Sequence, residues 1–163
     1  MEYTKIVEKI NKIDLEPILF TLTKRDDWTL WSLDKAKRVE KLYRQFLTLI
    51  VLYPDKSIVP TKEIDEFWHT HILDTEKYMS DCQNTFGYYI HHFPYYGLRG
   101  KKDEEKANKS FDETCKLFKK HFNMNLVRLM SKCDGSGRCS SHCKQACGPK
   151  KEIFYEERPK LTA

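Results

Sequence analysis

The sequence predicts an all-α fold: a compact, irregular bundle of about five helices, with an aromatic loop and a cysteine-rich C-terminal tail. Three observations carry that expectation. Apolar residues recur at i, i+3 and i+4 over long stretches. Capping residues, prolines and glycines punctuate those stretches at plausible helix ends. Period-2 alternation, the mark of a half-buried strand, is weak throughout.

Taken in order, Ile6, Ile10 and Ile13 give a short helical stripe. Pro17 stands early in a second apolar stretch, PILFTL, which reads as a short helix or an irregular segment. Asp26 to Trp31 is a loop carrying two tryptophans folded onto the core. The strongest helix follows, from Leu33 to Tyr53, with Ser32 as N-cap and Ala36, Val39, Tyr43, Phe46, Ile50 and Tyr53 on one face. Pro54 stops it. Thr61 is the expected N-cap of the next helix, with Glu63 favourable in its first turn, and Asp74 the N-cap of another, closed by Gly87 at C′. The segment YYIHHFPYYGLRG is an aromatic loop or short extended piece. A charged helix then runs from Asp103 to His121, burying Phe111, Leu117, Phe118 and Phe122. From Ser131 the composition turns to Cys, Ser, Gly and Lys, with little to bury. Residues 1–130 therefore read as a helical domain and 131–163 as a tail that binds metal or lacks order.

Composition bounds the function. A chain of 163 residues suits one domain with a hydrophobic core, and 40% hydrophobic with 33% charged residues is ordinary for a soluble globular protein. The formal charge of +5 comes from 29 basic and 24 acidic residues spread along the chain. That mild basicity is compatible with nucleic acid or an anionic surface, and equally with lysines on solvated helix faces, the commoner case. The opening MEYTKIVEKI has no apolar signal-peptide core. The longest apolar run, FLTLIVLY, falls well short of the roughly 18 residues a membrane helix needs. A cytoplasmic, reducing location is the expectation, in which the six cysteines are thiols or metal ligands rather than disulfides.

FWHTHIL, residues 67–73, carries the main candidate chemistry. Asp65 and His69 are four residues apart and share a helix face; His71 lies off it if the helix continues. Because Asp74 announces a new helix, the preceding one is expected to end between His69 and Leu73, so that both histidines can turn towards one point. A tight connection through one short helix would bring His91 or His92 back to them, with His92 narrowly preferred. One carboxylate with two or three imidazoles suits a divalent metal, zinc or iron(II) foremost, with room for water in an incomplete shell. The alternative is structural: histidines among aromatics, satisfied by carbonyls or by Asp65 or Asp74. Trp68 is expected to anchor the core with its indole N–H bonded, while Tyr78 and Cys82 follow the buried face of the next helix.

The run VPTKEIDEFWHTHILDTEKYMSDC followed by FGYYIHHFPYYG resembles the glycine-rich domain-containing protein-like family of plant, bacterial and viral proteins. The matching positions are Asp65, Trp68, His69, His71, Tyr78, Cys82 and Gly87, then His91 or His92, within a similar stretch from Leu33 to Gly100. The resemblance implies that His69 and His71 belong to a family signature; it names no reaction.

Cys133, Cys139, Cys143 and Cys147, with His142 among them, offer four thiols that could hold a second metal, though not in paired C-x2-C knuckles. A disordered thiol-rich tail and disulfides are the alternatives. A Cys–His nucleophile built on Cys82 has only residue identity behind it, and base stacking on YYIHHFPYY lacks basic residues within the segment. The sequence thus yields two readings. One is a metal-binding helical domain with a His/Asp site at a helix junction, suited to hydrolytic or oxidative chemistry. The other is a protein- or nucleic-acid-interaction module with structural histidines.

Overall fold

A computed structural model of the chain describes residues 3–24, 30–126, 146–147 and 158. Among the described residues six helices make the fold all-α: α1 Tyr3–Asn11, α2 Glu16–Lys24, α3 Leu33–Leu52, α4 Lys62–Leu73, α5 Thr75–Phe86 and α6 Lys101–Phe122. Among the described residues the only strand pairing is a two-residue ribbon, β1 His92–Phe93 against β2 Ala146–Cys147. Contacts divide the chain into two units, one of Met1–Leu52 and Lys62–Ile90, the other of Tyr53–Thr61 and His91–Ala163. Of the expected tail, only Ala146, Cys147 and Arg158 fall within the described residues.

In the first unit α3 is the central element, packed against α1, α2 and α4. Its predicted face is buried at Ala36, Val39, Tyr43, Phe46 and Ile50, but so are Leu42, Leu47, Thr48 and Leu49. A helix covered from several sides cannot spare a wide polar stripe, which is why the apolar run FLTLIVLY belongs here. Ser32 caps it as the sequence indicates, its Oγ accepting the Lys35 N–H at 3.2 Å. The α1 stripe is buried at Ile6 and Ile10, and the Arg44 guanidinium of α3 reaches across to donate to the carbonyls of Ile10 at 2.6 Å and Ile13 at 3.0 Å. These carbonyls lie at and just beyond the C-terminal end of α1, where a cation is favoured. Glu40 holds the same guanidinium at 2.7 Å. PILFTL is helical, with Asp14 Oδ1 accepting the Glu16 N–H at 3.0 Å ahead of Pro17. Trp31 is buried and its N–H bonds the Leu22 carbonyl at 2.9 Å. Trp28, the other tryptophan of that loop, lies outside the described residues.

Asp74 stands at the N-cap of α5, but its side chain makes no capping bond there. Gly87 closes α5 as expected, with φ 79° and its N–H on the carbonyls of Cys82 and Gln83. Glycine reaches this left-handed conformation without the Cβ penalty other residues incur.

The second unit buries Val59, Phe93, Tyr96 and Ala107 as a cluster, with Tyr95 and Phe111 packed on it. Helix α6 is longer than predicted and buries less: Ala107, Thr114 and Phe118 are internal, while Phe111, Leu117 and Phe122 are half-buried. Thr114 is the polar hub. Its hydroxyl accepts the Val59 N–H at 3.0 Å and donates to the Ser110 carbonyl at 3.0 Å. Asp103 receives the N–H groups of Gly97 and Arg99 and the Arg99 guanidinium. Burial opposes its ionisation, but these donors hold the carboxyl below its ordinary range.

Candidate metal centre

Helix α4 runs unbroken from Lys62 to Leu73, through both histidines of FWHTHIL. The helix ends at Leu73, the last residue of the expected interval, so no turn falls between the two histidines. Two residues apart on a continuous helix diverge by about 200°, and the two histidines have opposite fates. The side chain of His69 is 44% exposed, whereas His71 is 1% exposed.

Asp65 and His69 share a face as the i, i+4 spacing requires, with Asp65 Oδ2 3.7 Å from His69 Nε2. Asp65 is buried and His69 and His92 are half-buried. Asp65 and His69 form a carboxylate–imidazole group on α4. His91 and His92 belong to the second unit, where β1 begins at His92.

His71 stands apart from the Asp65–His69 group. Its Nδ1 is 2.9 Å from the Tyr43 hydroxyl and its Nε2 3.0 Å from Asp81 Oδ2. Burial lowers its pKa from the ordinary 6.5, against the opposing pull of Asp81, so the ring is neutral at pH 7. A neutral ring has one donor and one acceptor. The carboxylate can only accept, so Nε2–H donates to Asp81 and Nδ1 accepts from Tyr43. Lys77 Nζ closes the chain at 2.9 Å from Asp81. The sequence reading looked to Asp65 or Asp74 for a histidine-satisfying carboxylate and missed Asp81. The available signal was the Lys77–Asp81 pair at i, i+4, on the helix that follows the histidines.

Trp68 is fully buried, and its indole N–H donates to Tyr78 Oη at 2.9 Å; that hydroxyl donates in turn to the Ile90 carbonyl at 2.7 Å. Cys82 is a buried free thiol on the same helix face as Tyr78. Burial raises its pKa, which leaves little thiolate at neutral pH and makes it a poor nucleophile. Cys133, Cys139 and Cys143 lie outside the described residues, and Cys147 is described only as part of β2.

A family model described as UCP032817-like matches residues 7–129. The chain belongs to that family. The matched span contains Asp65, His69 and His92 as well as the Tyr43–His71–Asp81 chain, and it stops before the cysteine-rich segment. No curated protein and no solved structure matches the chain. Among the described residues no helix is long and apolar enough to cross a membrane.

Proposed function

We propose that this UCP032817-like protein is a divalent-metal-binding helical domain, with Asp65 and His69 of α4 as protein ligands. The observation that carries the reading is the Asp65 carboxylate beside the His69 imidazole on one face of α4. Ligand atoms about 2.1 Å from one ion stand roughly 3.4 Å apart in a tetrahedral shell. The Asp65–His69 separation of 3.7 Å is close to that, so small side-chain rotations suffice to close the shell. Imidazole and carboxylate are donors for both zinc and iron(II). Such an ion would supply Lewis acidity and an acidified water for hydrolysis, or, as iron(II), a centre for oxidative chemistry. The half-exposed side chain of His69 leaves the pair reachable from solvent.

Under this reading the resemblance to the glycine-rich domain-containing protein-like family acquires a division of labour: His69 of the D-x-x-W-H-x-H core serves the metal and His71 the packing. The test is elemental analysis and zinc or iron(II) titration of the purified chain. The wild type is expected to bind one ion at this site, and His69→Ala and Asp65→Asn to lose it. Binding that survives both substitutions together would refute the assignment.

The internal bonding of His71 favours a second reading, an interaction module in which all the histidines are structural. It requires the metal-free protein to be as stable as protein given zinc or iron(II).

A further inference from the structure

Helix α6 buries Ala107, Thr114 and Phe118 and turns most of its surface to solvent. At about 100° per residue, Lys102, Lys106, Lys109, Lys116 and Lys120 fall within about 40° of one line, on the side away from those three. Each of these lysines is exposed, and the line runs about 27 Å along the helix. Its one acid is Glu113, whose carboxylate is answered at 3.4 Å by Lys56 of the segment 53–61 in the same unit. Like charges stand as neighbours at i, i+3 and i, i+4 in Lys102–Lys106, Lys106–Lys109 and Lys116–Lys120. Such pairs weaken a helix in water. A polyanion laid along the line relieves the repulsion, and its condensed counterions are released.

The surroundings of the line select among polyanions. An anionic membrane takes up a helix that has apolar residues beside its lysines, and a single strand stacks its bases on exposed aromatics. The aromatics of α6, Phe111, Phe118 and Phe122, stand on the opposite, core-facing side. The major groove of duplex RNA is too deep and narrow to be read by side chains, whereas that of B-form DNA is about 12 Å wide and admits an α-helix. We propose that the lysine line of α6 binds duplex DNA through its phosphates, without reading its sequence. This surface is independent of the metal reading.

Fluorescence anisotropy of a labelled DNA duplex of mixed sequence, titrated with the full-length protein at several salt concentrations, tests the assignment. The wild type is expected to bind, with log Kd rising linearly with log salt. Lys102→Gln, Lys109→Gln and Lys116→Gln together should weaken binding by about tenfold or more and lower that slope by about 3. Glu113→Gln should tighten binding, a gain that misfolding cannot produce. Lys9→Gln, Lys37→Gln and Lys41→Gln together, an equal change of charge on exposed lysines elsewhere, should leave the slope unchanged. Absence of binding by the wild type at low salt, or an equal loss in the two triple variants, overturns the proposal. So does tighter binding of a single-stranded oligonucleotide, an RNA duplex or phosphatidylserine vesicles than of the DNA duplex.

Discussion

Single residues in this protein carry unusually separable roles. His71 is held on both ring nitrogens, by Tyr43 and Asp81, so its removal strands two polar partners and leaves a cavity. His71→Ala should cost on the order of 3 kcal/mol in a denaturant titration. Its pH dependence follows from the lowered pKa: as pH falls below about 6.5 the unfolded chain takes up a proton that the folded ring resists. Stability from this group is therefore complete above that pH and lost below it, and the slope should flatten in His71→Ala. His121 is shifted in the same direction, through burial and Lys120, so the His71 variant is needed to separate the two. Tyr78 bridges Trp68 and Ile90, and Tyr78→Phe removes an acceptor from one and a donor from the other. A loss of about 2–4 kcal/mol is expected by the same measurement. The indole bond of Trp68 was legible in the sequence as a need, but its partner was not. Pairing of buried groups ten residues apart depends on how α4 and α5 meet, which local pattern does not encode.

Elements were the more legible scale. The face and N-cap of α3, its stop ahead of Pro54, the start of α4 after Thr61 and the Gly87 cap all follow from spacing and from backbone sterics. The end of α4 falls at Leu73, the far edge of the expected interval. A capping residue marks where one helix begins and says nothing of where the previous one stops; here the two are separated by Asp74 alone. The expected convergence of the two histidines of FWHTHIL needed an earlier stop, and an uninterrupted helix drives them apart. The ribbon of β1 and β2 was also beyond local signals, since two residues give no period to read. The cap itself yields a clean prediction. A Cβ at Gly87 meets nothing within 4 Å, so Gly87→Ala tests backbone strain without a clash. It should destabilise by about 1 kcal/mol in thermal or chemical melts.

At the scale of the whole molecule, the charge of +5 and the surface ion pairs say little about stability. Lys56 and Glu113, 3.4 Å apart and each nearly half exposed, exemplify pairs worth well under 1 kcal/mol. Ligand binding is the larger lever. If Asp65 and His69 hold an ion, zinc at about 100 times its Kd should add close to 2.7 kcal/mol. A thermal melt with and without chelator should show that gain in the wild type and none in His69→Ala. The Arg44 clamp on Ile10 and Ile13 has a different kind of consequence. Helix α1 has nine residues, too few to persist alone, and owes its folded state to what holds it. Local opening of the amino-terminal helix should then be governed by one guanidinium. In Arg44→Met, amide hydrogen exchange across α1 should accelerate while α3 keeps its protection, so that the chain unfastens at one end long before it unfolds.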